Sequence, residues 1–151
     1  ADLVQKKTWL KGVAKYYYHV LKILGSYQAR EFNISDKDKA SRKKLILLCI
    51  AKGTTFGGGF KLTPHASLSA GQLAICTIGD ISPFKRFLNI HRMQSGTHDQ
   101  LHEIKLSKSS SVSVDQNANL EAHIDGEYFG QPPFHFSILE KHLTIRAKKL
   151  F

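Results

Sequence analysis

Long apolar runs, an N-terminal signal core and a cysteine framework are all missing from this sequence. Polar residues interrupt every apolar stretch before it reaches the roughly 18 residues that a bilayer-spanning helix needs. The chain begins at Ala1 without Met or an apolar leader, so we expect no secretory signal and a piece of a longer polypeptide. Acidic residues are few as well: 22 Lys and Arg against 12 Asp and Glu leave a formal charge of +10.

The composition is that of one globular domain with a real core. The 151 residues are 42% hydrophobic and 23% charged, which excludes disordered and fibrous classes. The two cysteines, Cys49 and Cys76, each lie in an apolar run, where a free thiol behaves as a small buried hydrophobe. We expect two reduced thiols and a cytoplasmic location, although the sequence leaves one disulfide open.

Residues 7–24 show the period of an amphipathic helix that ends near Gly25. No acidic residue occurs between Leu3 and Arg30, so the polar face carries unopposed positive charge. This face is either a solvated stripe on a core-packed helix or a peripheral contact with anionic lipid headgroups, and the two are compatible. The membrane-facing candidates are Lys7, Lys11, Lys15 and Lys22.

After this helix the period changes to that of short strands. Residues 29–35 alternate, residues 36–39 predict a charged turn, and residues 45–51 predict a buried strand. Ser82 and Pro83 predict a second helix, in which Phe84, Phe87, Leu88 and His91 share one face. We expect this helix to cover an end of the sheet. The fold class is mainly β (α+β), an antiparallel β-sandwich with two appended helices in a single domain spanning residues 1–151.

Catalytic motifs of common enzymes are weak or missing. His98 and His102 have an i, i+4 spacing, but strand-like alternation follows them and no third ligand is grouped with them, so we expect no histidine metal site. The Phe-Gly-Gly-Gly-Phe segment at 56–60 suits either close approach of a ligand or a tight crossing of the sheet. Its candidate substrate-binding residues are Gly57, Gly58 and Gly59, and Gly126 further along the chain is a fourth.

The strongest candidate site is Asp125-Gly126-Glu127. Asp-Gly is a strong hairpin signal because both positions tolerate positive φ. The simpler interpretation is a turn with two solvated acids. Alternatively, carboxylates fixed on a rigid turn orient a substrate hydroxyl and accept its proton, as a phosphoryl acceptor requires.

Two segments together resemble a known family. The glycine segment is followed by Pro64 and an Ala-x-Leu-x-x-Gly-x-Leu entry to a strand at 66–73, and His-Ile-Asp-Gly-Glu follows at 123–127. This order resembles the bacterial diacylglycerol kinase and sphingosine-kinase-like (YegS-like) lipid kinases over essentially the whole chain. The resemblance implies a C-terminal β-sandwich domain that lacks its N-terminal nucleotide-binding partner, since no Gly-Gly-Asp-Gly-Thr signature occurs.

The resemblance also implies site roles and ligands. Glu127 would be the catalytic base, while Asp125 and Gly126 would shape its turn. ATP and Mg²⁺ would be bound mainly by the absent domain, and the substrate would be a lipid at an anionic membrane surface. The family commonly has Asp-Asp-Gly where this chain has Ser-Ala-Gly at 69–71, so Ala70 implies loss of a structural magnesium site.

The sequence therefore predicts part of an ATP-dependent lipid kinase that phosphorylates a hydroxyl of diacylglycerol or a related lipid, and that is inactive as this piece alone. The alternative is a non-catalytic basic module that binds anionic lipid or nucleic acid through its net charge. Nucleic acid is disfavoured because Phe32, Phe134 and Phe136 occupy alternating, core-like positions rather than positions among exposed cations.

Overall fold

The computed structural model describes residues 18–19, 22, 25–36, 39–117 and 120–139. Eight strands lie in these residues, and six form one antiparallel sheet in the order β4-β3-β2-β1-β5-β8. The other two form a separate hairpin. The bounds are β1 Arg30–Asp36, β2 Lys39–Ala51, β3 Leu73–Gly79, β4 Ile104–Ser109, β5 Ser111–Val114, β6 Ala122–Ile124, β7 Glu127–Gly130 and β8 Phe134–Ser137. The predicted mainly β class is confirmed.

Both faces of the large sheet carry apolar clusters because alternate residues of a strand point to opposite sides. One cluster joins Ile34, Leu45, Ile75 and Val112. The other joins Cys49, Cys76, Ile81 and Ile104. Strand β3 contributes to both, and its residues 73–77 are all buried, as a central strand covered on two sides requires.

Several strand limits differ from the sequence expectation. Asp36 pairs directly with Lys39, so the charged residues predicted as a turn extend both strands of the first hairpin. The Arg42 guanidinium donates to the Glu31 carboxylate across that hairpin. This cross-strand pair stabilises the strand conformation of the two polar residues. Strand β4 begins at Ile104 because His98–Gln100 forms a 3-10 turn. The strand expected at 142–145 lies outside the described residues.

Of the two predicted helices, the second is described in full and is named α1, Pro83–Ser95. The Ser82 side chain accepts from the Lys85 amide and Pro83 occupies the first turn, as the sequence predicted. Of the first helix, residues 18–19, 22 and 25–26 are described and helical, so it continues past Gly25 to Ser26. Within the described part of the chain, no helix is long and apolar enough to cross a membrane.

Helix α1 ends on Gly96, which has a φ of +84° and donates its amide to the Arg92 carbonyl. A Cβ on Gly96 would lie 3.1 Å from the Pro64 Cβ, so both the backbone and the space favour glycine.

We therefore expect Gly96→Ala to lower the free energy of unfolding by about 1 to 2 kcal/mol, through the left-handed backbone and the contact with Pro64. Gly53→Ala is the matched control, because its Cβ would meet no atom within 4 Å and its φ is not positive. Urea unfolding of both variants measures the difference. Equal losses would show that the C-terminal cap of α1 does not demand glycine.

Candidate functional site

The Asp-Gly-Glu segment forms the tip of the β6–β7 hairpin. Asp125 and Gly126 have φ values of +52° and +92°, the two consecutive positive angles of a type I′ turn. Ile124 pairs with Glu127 across the turn, so Glu127 is the first residue of β7. The predicted hairpin is thus confirmed, and its tightness fixes where the Glu127 backbone lies.

One aromatic contact joins the hairpin to the sheet. The Phe129 ring lies 5.5 Å, between centroids, from the Phe134 ring on β8, which is an edge strand of the large sheet. Within the hairpin the rings of His123 and Tyr128 meet edge to face at 5.8 Å. A β-hairpin alone is marginally stable, so the contact of Phe129 with Phe134 contributes to holding the hairpin against β8.

The Glu127 side chain is exposed, as is that of Asp125. Neither carboxylate forms a salt bridge with another described residue. Ile124, Tyr128 and Phe129 are exposed beside them. The hairpin therefore presents an accessible carboxylate next to an apolar surface, a combination that suits a hydroxyl-bearing amphiphile.

The glycine segment is a short turn closed upon itself. Gly57–Gly59 forms a 3-10 turn, and the Phe56 amide donates to the Phe60 carbonyl at 2.8 Å. Gly58 and Gly59 have φ values of +74° and +83°, which explains glycine there on conformational grounds alone. All three glycines are exposed, and a Cβ on Gly59 would meet no atom within 4 Å.

Contacts that the sequence did not predict hold the residues on either side of the glycine segment. The His98 side chain is fully buried, and its Nε2 lies 3.2 Å from the Leu62 carbonyl oxygen. The Thr63 hydroxyl donates to the Gly53 carbonyl at 2.7 Å, and the Lys61 amide donates to the Met93 carbonyl. His98 thus has a structural task, and His102 instead pairs with Glu103. No periodicity marks such contacts, which join residues far apart in the chain.

The two candidate segments rest on different parts of the fold. Phe56 packs against the Cys49 and Cys76 cluster, whereas the hairpin packs through Phe129 on β8. Strand β3, which follows the glycine segment, is separated from β8 by three strands. Two open pockets of about 290 and 270 Å³ are lined by neither Asp125 nor Glu127. The described contacts give no common site for the glycines and the carboxylates.

A lysine side chain contacts the loop at 69–71, where the sequence predicted the loss of a structural magnesium site. The Lys52 ammonium donates to the carbonyl oxygens of Ala70 and Gln72. An ammonium group within this loop repels a divalent ion, and Ala70 offers only its backbone oxygen. Among the described residues, no group of three or more His, Cys, Asp or Glu side chains could hold a metal ion. These residues do not fit a structural Mg²⁺.

The membrane-facing lysines are only partly described. Lys22 is helical and exposed, and its carbonyl accepts from the Ser26 hydroxyl. Lys7, Lys11 and Lys15 lie outside the described residues, so their proposed contact with lipid stays a prediction.

An antiparallel, mainly β domain with a supported Asp-Gly-Glu hairpin defines a sandwich-like domain class. Residues 1–147 match the model of the YegS C-terminal NAD kinase beta sandwich-like domain, and the chain belongs to this family.

The similar proteins carry one name. The diacylglycerol kinase of Bacillus subtilis (strain 168) is 25% identical over 149 residues, which cover 98% of this chain and 49% of that protein. The diacylglycerol kinase of Staphylococcus saprophyticus is 22% identical, over 89% of this chain and 44% of that protein. A diacylglycerol kinase crystal structure from Bacillus anthracis str. Sterne shares the fold, with a TM-score of 0.60 at 18% identity, over 85% of this chain and 44% of that one. The chain spans about half the length of these relatives.

Proposed function

We propose that this chain is the C-terminal, substrate-side domain of an ATP-dependent lipid kinase that phosphorylates diacylglycerol or a related lipid. The observation that carries the proposal is the exposed Glu127 carboxylate at the start of β7, beside a tight turn in a hairpin that contacts β8 through Phe129. Family membership and the shared name of the relatives support the reaction class.

In the proposed reaction, Glu127 accepts the proton of the lipid hydroxyl as the hydroxyl oxygen bonds to the γ-phosphorus of ATP. The bond from that phosphorus to the bridging oxygen breaks, and ADP leaves with the bond's electron pair. Phosphoryl transfer depends on positioning and electrostatics more than on covalent help from the protein. Asp125 and Gly126 contribute by holding the turn that presents Glu127.

The nucleotide and its Mg²⁺ are assigned by this proposal to a second half that precedes the chain. The chain matches 49% and 44% of the length of the two relatives, so each relative has enough further sequence for such a domain. The apolar side chains of Ile124, Tyr128 and Phe129 beside the carboxylate suit a substrate with acyl chains. A non-catalytic basic module, the alternative from the sequence, assigns Glu127 no chemical step and leaves the turn with two solvated acids.

We expect the 151-residue chain alone to transfer no phosphate from radiolabelled ATP to diacylglycerol in mixed micelles, because the residues that bind the triphosphate lie elsewhere. A polypeptide in which a nucleotide-binding half precedes the chain should transfer it. The assay is thin-layer separation of labelled lipid, with ceramide and phosphatidylglycerol as competing acceptors. Turnover by the isolated chain would contradict the assignment of ATP binding to the preceding half. Inactivity of the extended protein towards all three lipids would contradict the proposed function.

A further inference from the structure

The Lys52 side chain crosses the end of the β2–β3 ladder from which the 53–72 loop emerges. Lys52 directly follows the last residue of β2, and its ammonium donates to the Ala70 carbonyl and, at 3.2 Å, to the Gln72 carbonyl. Gln72 directly precedes β3. One half-buried side chain therefore joins the two ends of the loop, and it forms no salt bridge with another described residue.

The two carbonyls meet a cation of the kind that this part of the chain can neutralise. Calcium and magnesium are held in proteins by backbone carbonyls together with carboxylates. Residues 39–79 contain no Asp or Glu, so β2, the loop and β3 offer carbonyls but no carboxylate to an ion. An ammonium carries a single charge and has three donors, two of which the Ala70 and Gln72 carbonyls accept.

The loop that Lys52 closes carries the glycine segment. The carbonyl of Gly53, the next residue, accepts from the Thr63 hydroxyl at 2.7 Å, and Thr63 is buried. Two consecutive residues thus hold the loop at two places, Gly53 near its middle and Lys52 at its return into β3. Without the ammonium, the Ala70 and Gln72 carbonyls lose the donor that holds this return.

We propose that the Lys52 ammonium is a built-in structural cation, which closes the 53–72 loop and makes the stability of this domain independent of divalent metal ions. An ion raises stability only when it binds the folded chain, so a domain with its own cation at this place responds neither to a chelator nor to added metal. This role is separate from the proposed function, because the Mg²⁺ that accompanies ATP is assigned to the preceding half. Melting of the 151-residue chain tests it without turnover.

The first test is the melting temperature of the 151-residue chain, followed by circular dichroism in EDTA, in Mg²⁺ and in Ca²⁺. We expect one value in all three. Lys52→Met keeps an unbranched side chain without the donors and should melt roughly 5 to 10 °C lower, because two charge-assisted hydrogen bonds are lost. Lys108→Met is the matched control: Lys108 is exposed on β4 and forms no salt bridge with a described residue, so this variant should melt like the parent.

The second test asks whether a metal ion can take the place of the ammonium. Ser69→Asp/Ala70→Asp supplies carboxylates beside the Ala70 carbonyl. Combined with Lys52→Met, these acids should bind Mg²⁺ or Ca²⁺, so that either ion raises the melting temperature of the triple variant. With Lys52 retained, the ammonium pairs with the new acids and repels the ions, so the double variant should respond much less.

Three results would overturn the proposal. The first is a parent chain whose melting temperature falls in EDTA or rises in Mg²⁺ or Ca²⁺. The second is equal melting of Lys52→Met and Lys108→Met. The third is a triple variant that responds to the ions no more than the double variant does. None of the three bears on Glu127, so the proposed function and the role of Lys52 fail or stand separately.

Discussion

Replacing Glu127 by Gln is expected to lower lipid phosphorylation by the complete two-domain enzyme by 10² to 10⁴, the usual contribution of a general base. The amide keeps the size of the side chain and its place at the start of β7 but cannot accept the hydroxyl proton. Because Glu127 is exposed and has no described salt bridge, the fold should be unchanged. Initial rates with diacylglycerol at saturating ATP measure the effect.

The matched control is Glu121→Gln, an exposed acid just before β6 and outside the turn. It makes the same change in net charge, so it reports any effect of charge on membrane association alone. Equal activities of the two variants would remove Glu127 from the reaction. A loss confined to Glu127→Gln, with the melting temperature retained, would assign the base.

The hairpin was predictable from the sequence because its signal is local. Asp125 and Gly126 are the residue types that tolerate the two positive φ angles of this turn, so four neighbouring residues determine the geometry. The support of that hairpin was not predictable, because the contact between Phe129 and Phe134 depends on where β8 joins the sheet.

For helix α1 the sequence predicted where the helix begins and ends but not which residues it contacts. Its bounds followed from Ser82, Pro83 and Gly96, which act within one turn of each end. The orientation of the helix did not follow from the sequence, because periodicity identifies an apolar face but not what covers it. Met93 and Arg86 attach the other side, through contacts with residues distant in sequence. The contacts of Lys52 with the Ala70 carbonyl and of His98 with the Leu62 carbonyl were missed for the same reason.

The cysteines were predicted to be buried and reduced, and both are free and buried. The sequence did not show that they face each other directly across β2 and β3. Burial raises the pKa of each thiol to about 12, and for Cys49 the neighbouring Cys76 adds to the rise. Desolvation disfavours the thiolate, which is the form that reacts.

We therefore expect iodoacetamide at pH 8 to label the folded chain at least about 100-fold more slowly than the urea-unfolded chain, because burial raises the pKa of both thiols to about 12 and leaves little reactive thiolate. Labelling of the folded protein should still accelerate at pH 10, where a thiol of ordinary pKa has levelled off. Mass spectrometry of quenched samples measures both rates. An exposed thiol introduced by Ser67→Cys, in a background with Cys49→Ala and Cys76→Ala, should react equally fast in both states. Rapid labelling of the folded parent would contradict the burial, and thiols that react only after reduction would show a disulfide between the two strands.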